Sequence, residues 1–76
     1  MNKLIGKNIR YYRKLRGRNQ LWLAKKLGYY DSATISYLEN AKRIIKAIDL
    51  FKIAGLLNVD INNFFMEVQD EYSRKA

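Results

Sequence analysis

Apolar residues recur at helical spacing along the whole chain, which contains no proline, no internal repeat and no low-complexity run. In the first segment Ile5, Ile9 and Tyr12 stand four and then three residues apart, so they share one face of a helix. The same kind of spacing returns in each later segment. The pattern therefore predicts a compact all-α domain of five helices.

Capping residues divide this pattern into separate helices. Side-chain oxygens suited to amino-terminal caps are carried by Asn2, Asn19, Asp31 and Asp60. Glycines, which accept left-handed backbone, follow the first two helices at positions 17 and 28. The predicted helices cover residues 3–16, 20–27, 32–40 and 46–57, and a fifth that begins at Ile61 and is expected to continue through Val68.

The inward face of each predicted helix supplies the core. Beyond the first helix we expect these residues to face inward: Leu23, Ala24, Leu27, Ile35, Leu38, Leu50, Ile53, Ala54, Leu57 and Ile61. Phe64 and Phe65 are adjacent, so they cannot both point into one core. We expect one of them to be buried and the other to contribute to a dimer interface.

The residue types that are missing restrict the chemistry. The chain has 76 residues, enough for one small domain, and it contains no cysteine and no histidine. Disulfides, thiolate metal sites and the usual general base are therefore absent, and the seven acidic residues are scattered or suited to helix caps. There is also no glycine-rich phosphate loop. We expect no enzymatic activity, no cofactor and no metal.

Charge is concentrated at the front of the chain. Residues 1–46 carry twelve Lys or Arg and two acids, whereas residues 47–76 carry three and five, which together give the net charge of +8. A basic excess at one end indicates a polyanionic partner, although basic surfaces also bind acidic proteins. No apolar stretch approaches the roughly 18 residues of a membrane span, and the amino terminus lacks a signal-peptide core. We expect a cytoplasmic protein with no membrane partner.

Residues 19–40 form two short predicted helices joined by a glycine turn, the pattern of a helix-turn-helix. The residues of this motif, and the cations after it, resemble the repressor-like helix-turn-helix family of Cro, phage repressors and Xre: Gln20, Leu23, Ala24, Lys26, Leu27, Gly28, Thr34, Ile35, Ser36, Leu38, Glu39, Lys42 and Arg43. The stretch from Leu50 to Phe65 is similar to the fourth and fifth helices of that family. The resemblance implies a DNA-binding fold in which helices 2 and 3 form the motif.

Two departures from the family pattern concern the ends of the third helix. The turn Tyr29-Tyr30-Asp31 is one residue longer than usual, which would shift the third helix relative to a bound groove. Ala41 stands where the family tends to have glycine, and Ile45 where it tends to have proline. We expect Asn40 to adopt the left-handed conformation that ends the helix instead.

The resemblance also implies which residues contact DNA. The third helix would lie in the major groove, and its outward residues Ser32, Ala33, Ser36 and Tyr37 would face base edges. Contacts to phosphate are expected on either side of the groove from Asn19, Gln20, Asn40, Lys42 and Arg43. Tyr37 is expected to contribute most to discrimination between bases. In the family the positions of Arg13 and Glu39 form an ion pair, and we expect that pair here in a structural role.

These observations predict a homodimeric transcriptional repressor that binds a double-stranded operator. Residues 1–68 would form the DNA-binding domain, and residues 69–76 an extension in which the last helix ends and the chain frays. The dimer would form through the fifth helix and this extension. The alternative is a protein-interaction module, of the antitoxin or anti-repressor type, that uses the same fold to bind an acidic protein. Sequence selectivity and salt dependence of duplex binding distinguish the two.

Overall fold

The computed structural model describes residues 1–67, which form four α-helices followed by a 3₁₀ helix and contain no strand. The helices are α1 (Asn2–Leu15), α2 (Gln20–Lys26), α3 (Ala33–Glu39), α4 (Ala47–Leu57) and the 3₁₀ helix (Ile61–Phe65). The all-α class is thus confirmed, and each α-helix begins and ends within one residue of its predicted boundary. The predicted extension, residues 69–76, lies outside the described residues.

Helix α1 lies against α3, α4 and the 3₁₀ helix, and its buried side faces all three. Ile5 and Ile9 are buried on this side as predicted, and the polar residue Asn8 lies fully buried between them. The prediction that Asn2 caps the helix is wrong. The helix begins at Asn2 itself, the preceding Met1 occupies the cap position, and no side chain accepts a hydrogen bond there. A main-chain bond from Ile5 N to Met1 O closes the first turn instead.

The turns around α2 follow the sequence closely. Gly17 and Gly28 both adopt positive φ, at 70° and 86°, where a residue with a Cβ would be strained. Asn19 caps α2, because its side-chain oxygen accepts a hydrogen bond from Trp22 N at 2.8 Å. Ala24 is fully buried, which allows α3 to pack closely on α2 through Ile35.

The exit from α3 differs from the prediction. Asn40 has φ −97°, whereas Ala41 is the left-handed residue, with φ 58°. Lys42 N donates to Tyr37 O at 2.8 Å and Ala41 N to Leu38 O at 3.2 Å. This pair of bonds is typical of a helix end whose left-handed residue directly follows the cap, and here that residue is Ala41. The Asn40 side chain meanwhile donates to Ser36 O at 2.9 Å, and so stabilises the last turn from outside.

The predicted fifth α-helix is a single 3₁₀ segment in the part of the chain that the structure describes. Asp60 caps it as predicted, accepting from Asn62 N at 2.9 Å. Phe64 is fully buried and Phe65 is 42% exposed, so one of the two phenylalanines belongs to the core as expected. The Asn8 side chain donates to Phe64 O at 2.8 Å and to Met66 O at 2.7 Å, bonds that draw the chain out of helical geometry after the segment. Val68, the predicted end of this helix, lies outside the described residues.

Candidate nucleic-acid interface

The outward side of α3 carries the four residues predicted to face bases. Ala33 and Tyr37 are exposed, while Ser32 and Ser36 are half-buried beside them. Ser32 occupies the cap position and is not part of the helix, which begins one residue later. Ser32 and Ser36 are four residues apart, as are Ala33 and Tyr37, so all four lie on one side of the helix. The opposite side carries Ile35, which is fully buried. The geometry thus presents a short, mostly small-residue surface with one large ring.

Cations border this surface at the carboxyl end of α3. Lys42 and Arg43 are both exposed, and the Arg43 guanidinium lies 5.6 Å from the centre of the Tyr37 ring. Such a cation over an aromatic face limits the ring's freedom. The Asn40 amide, predicted to contact phosphate, is turned back toward the helix and lies 3.5 Å from Ser36 Oγ as well as bonding Ser36 O. One of the two N–H groups of this exposed amide is therefore bonded within the helix.

A buried polar cluster fixes α3 from behind. Arg13 Nε donates to Glu39 Oε2 at 2.7 Å and Arg13 Nη2 to Glu39 Oε1 at 3.1 Å, so the ion pair is bidentate. Both residues are buried, at 6% and 7% exposure. Arg13 Nη1 also donates to Arg18 O at 2.7 Å, in the loop before α2. The cluster therefore joins α1, that loop and the end of α3 at one point.

The amino terminus of α2 contacts the same cluster. Gln20 Nε2 donates to Glu39 Oε1 at 3.1 Å, and Asn19 Oδ1 accepts from Trp22 N. Both residues were predicted to contact phosphate. In the structure the Gln20 amide links α2 to the carboxylate at the end of α3, which fixes the relative position of the two helices of the motif. Arg18 lies over the Trp22 ring at 4.5 Å and adds positive charge at this edge.

The longer turn between α2 and α3 is attached on both sides. Tyr29 Oη donates to Asp49 Oδ2 at 2.5 Å, which connects the turn to the first turn of α4. Lys25 Nζ donates to Tyr30 O at 2.6 Å. The prediction that Asp31 caps α3 is wrong by one residue: Ser32 occupies the cap position, and Asp31 Oδ1, just before it, accepts from Ala33 N at 2.9 Å. The additional residue is therefore held in a defined conformation, with the Tyr30 side chain 89% exposed.

The Tyr29–Asp49 contact also perturbs ionisation. The hydrogen bond to the Asp49 carboxylate raises the pKa of Tyr29, and burial and the negative charge of Asp49 raise it further. Arg43 lowers the pKa, but less than the other effects raise it. The neutral phenol is therefore favoured in the folded protein, and Arg43 lies near enough to the turn for its charge to act there.

Three structural residues of this interface escaped the sequence analysis. Gly6 lies where α1 crosses the end of α3, and a Cβ there would be 2.3 Å from Leu38 O. Asn8 holds the 3₁₀ helix from the inward face of α1, where a polar residue at core spacing was the available signal. Asp49 binds a tyrosine twenty residues earlier, and no local pattern indicates that contact.

A family model described as helix-turn-helix (HTH_3) matches residues 9–64, which include α2, α3 and the turn between them. The chain belongs to the Xre-like helix-turn-helix family. Members of this family are DNA-binding transcriptional regulators, and this chain is a DNA-binding transcriptional regulator. No protein of curated function matches the sequence significantly.

Solved structures similar to this helix-turn-helix domain include three of SinR, each at 28% sequence identity. The N-terminal DNA-binding domain of SinR from Bacillus subtilis has a TM-score of 0.72, covering 90% of this chain and 99% of that one. SinR in complex with DNA, where it is called the master regulator for biofilm formation, has a TM-score of 0.70, covering 82% and 98%. A complex of SinR with SinI has a TM-score of 0.70, covering 93% and 72%.

Other site types find no support in the described residues. Over residues 1–67 no three acidic side chains come together as metal ligands would. None of the helices formed by those residues has the length and hydropathy needed to cross a bilayer.

Proposed function

We propose that this domain binds a specific double-stranded operator and represses transcription, with α3 in the major groove. The observation that carries the proposal is the presentation of α3 in a chain of the Xre-like family: Ala33 and Tyr37 face outward, while Ile35 and Leu38 hold the helix on the core. Family members insert this helix amino end first, toward base edges. SinR, a similar structure, has been solved on DNA.

The outward side of α3 carries mostly short side chains, which can contact only bases that lie close to the helix. Serine hydroxyls at 32 and 36 can donate to or accept from several bases, and Ala33 can contact only a thymine methyl. Tyr37 is the one long side chain among the four, so we assign most of the base discrimination to it. The short side chains also bring the backbone of α3 close to the groove floor, where groove width contributes to selectivity.

Phosphate contacts would position the domain on either flank. Lys42 and Arg43 lie after α3, and Asn19 and Gln20 stand at the start of α2, where the backbone N–H groups of the helix terminus also attract an anion. Asn40 would join them through the second N–H of its amide. The bond from Gln20 to Glu39 keeps the start of α2 at a fixed distance from α3, which gives the phosphate contacts a defined register.

We also propose that two copies bind together in the cytoplasm, with recognition helices about one DNA turn, roughly 34 Å, apart on a pseudo-palindromic site. The exposed Phe65 and Met66, at 42% and 54%, support an interface beside the 3₁₀ helix. The proposal assigns the chain a binding role and no catalysis. Residues 1–68 would be sufficient for DNA binding, and residues 69–76 would extend the dimer interface.

Selection from random duplexes followed by sequencing tests the proposal. We expect one enriched, pseudo-palindromic motif, and loss of selectivity with Tyr37→Ala. In salt titrations the plot of log K against log salt has a negative slope, and Lys42→Ala should make that slope less steep by about 0.9, because one phosphate contact is lost. Lys52→Ala, on the far side of α4, should leave the slope unchanged. Binding without sequence enrichment would contradict the proposal.

The second candidate is a protein-interaction module, since SinR has also been solved in complex with a protein, SinI. Under this alternative the basic surface of residues 1–46 would bind an acidic protein. Duplex binding would then be weak at physiological salt and indifferent to sequence, so the same selection separates the two.

A further inference from the structure

The outer face of α4 is apolar although no described residue covers it. Ile48 is 59% exposed and Phe51 62% exposed, and they stand three residues apart on one helical face. Single exposed apolar residues are ordinary, but two large ones on adjacent turns of one helical face form a contiguous apolar surface of the kind that binds a partner.

Gly55 lies on this same face, four residues after Phe51. A glycine inside a helix lowers helix stability relative to alanine, so it usually has a packing reason. Here a Cβ would meet no atom within 4 Å, and the residue does not have positive φ. The contrast with Gly6 is informative, because there the lack of a side chain admits the backbone of α3. No described residue packs against the open side of Gly55. A partner helix packed closely on α4 would occupy the space that the missing side chain leaves.

The charge around this face decides between partners. The exposed charged side chain on this face is Lys52, which stands four residues after Ile48 and next to Phe51. The one acid in α4, Asp49, is buried and accepts a hydrogen bond from Tyr29. A second copy of the chain would bring like charges together, which opposes self-association through this face. An acidic partner would meet complementary charge.

We propose that the face formed by Ile48, Phe51, Lys52 and Gly55, called here the α4 face, docks an acidic amphipathic helix of another protein. The apolar stripe of that helix would cover Ile48 and Phe51 and approach the backbone at Gly55, with acidic residues beside Lys52. This goes beyond DNA binding, because the α4 face contains none of the residues assigned to bases or phosphate. The domain would bind the operator and this partner at the same time.

A displayed library of helical peptides with random surface positions, selected against the full chain saturated with its duplex, tests the inference. We expect enriched peptides to combine an apolar stripe at i, i+3 or i+4, and i+7 with an excess of Asp and Glu. An enriched peptide, synthesised and labelled, should lose at least tenfold in affinity with Ile48→Glu or Phe51→Glu, and less with Lys52→Ala. Leu15→Gln, an equally exposed apolar residue on α1, should have no effect.

Three outcomes of the peptide experiments would overturn the inference. They are the absence of enriched peptides, enrichment of peptides without acidic excess, and binding that Ile48→Glu and Phe51→Glu leave unchanged. Analytical sedimentation of the free chain tests whether a second copy occupies the α4 face instead. A dimer that Phe51→Glu dissociates would assign the face to that second copy and overturn the inference. Circular dichroism of each variant verifies folding. Repeating the selection without duplex keeps the result independent of the proposed function, because failure of DNA binding would leave the peptide result intact.

Discussion

The two ends of α3 are held by different kinds of contact. At the carboxyl end, Glu39 is buried and receives two hydrogen bonds from Arg13 and one from Gln20. At the amino end, the turn depends on Tyr29 bonded to Asp49 and on an exposed lysine bonded to a backbone carbonyl. The first end is attached through a buried ion pair in which Glu39 accepts three hydrogen bonds. The second is attached through one hydrogen bond from the half-buried Tyr29 to the buried Asp49 and one from an exposed lysine.

This difference separates position from selectivity. A buried ion pair tolerates little change, so the carboxyl end sets where α3 stands on the domain. The amino end, which we propose faces the bases, follows a turn one residue longer than the family pattern and is attached to α4 by the Tyr29–Asp49 hydrogen bond. We expect a change there to cost less stability than a change at the ion pair. Substitutions at each end should therefore differ in their effect on stability.

The largest effect is expected at the ion pair. Arg13→Met leaves the Glu39 carboxylate buried beside an apolar side chain, which should cost about 3 kcal/mol or more of unfolding free energy. Urea denaturation measures the loss, and Lys14→Met, an exposed neighbour, should change stability by less than about 0.5 kcal/mol. A double variant that also replaces Glu39 with methionine should lose less than the sum of the single changes. A loss below 1 kcal/mol for Arg13→Met would show that the pair is not structural.

Close packing at the same end gives the next effect. Gly6→Ala places a methyl group 2.3 Å from Leu38 O and 2.7 Å from Glu39 O, so α1 must move away from α3. Such overpacking costs about 1–3 kcal/mol. Gly55→Ala is the matched control, because it fills open space on α4 and should stabilise the free domain by up to about 1 kcal/mol. Equal effects of the two substitutions in thermal unfolding would contradict the close approach at Gly6.

At the amino end, Tyr29→Phe should cost about 1–2 kcal/mol near neutral pH, since the buried Asp49 carboxylate loses a hydrogen-bond donor. The pKa of Tyr29 is raised in the folded state. Its contribution is therefore complete below the unfolded value of about 10 and is lost as the pH rises through the folded pKa. The stability difference between the native chain and the variant should shrink above pH 10. In an Asp49→Asn background the same substitution should show a smaller pH dependence, because the hydrogen bond to the Asp49 carboxylate is the largest cause of the raised pKa and burial of Tyr29 remains. An unchanged pH dependence would show that the cause is not this pair.

The sequence was sufficient for most of the fold because the signals were local. Helix-period apolar residues and caps such as Asn19 lie within a few positions of the boundaries they determine, and the α-helices were placed to within one residue. Not every local prediction was correct. Asn2 lies inside α1 and does not cap it. The predicted fifth helix is a short 3₁₀ segment, and the Asn8 side chain that bonds its carboxyl end comes from a helix more than fifty residues earlier, which local spacing does not reveal.

The candidate site was less predictable for the same reason. Family resemblance indicated which residues face outward on α3, but the resting hydrogen bonds of Gln20 and Asn40 depend on neighbours in three dimensions. The Tyr29–Asp49 pair joins a turn to α4 across twenty residues. Such pairs have no spacing rule, so a single sequence does not reveal them. The exit from α3 is an intermediate case, because its left-handed residue was expected but assigned one position too early.

The smallest effect concerns that exit. Ala41 has φ 58°, a conformation that costs an L-residue with a Cβ about 1 kcal/mol and glycine almost nothing. Ala41→Gly should therefore stabilise the domain by somewhat under about 1 kcal/mol, because the greater freedom of glycine in the unfolded chain offsets part of the gain. Asn40→Gly should instead destabilise it, since it removes the bond to Ser36 O at a residue with ordinary φ. Thermal unfolding of both variants shows which residue is left-handed at the end of α3. If Asn40→Gly raised the stability and Ala41→Gly lowered it, the helix would end one residue earlier than described. Lys42 and Arg43 would then approach the groove from a different angle.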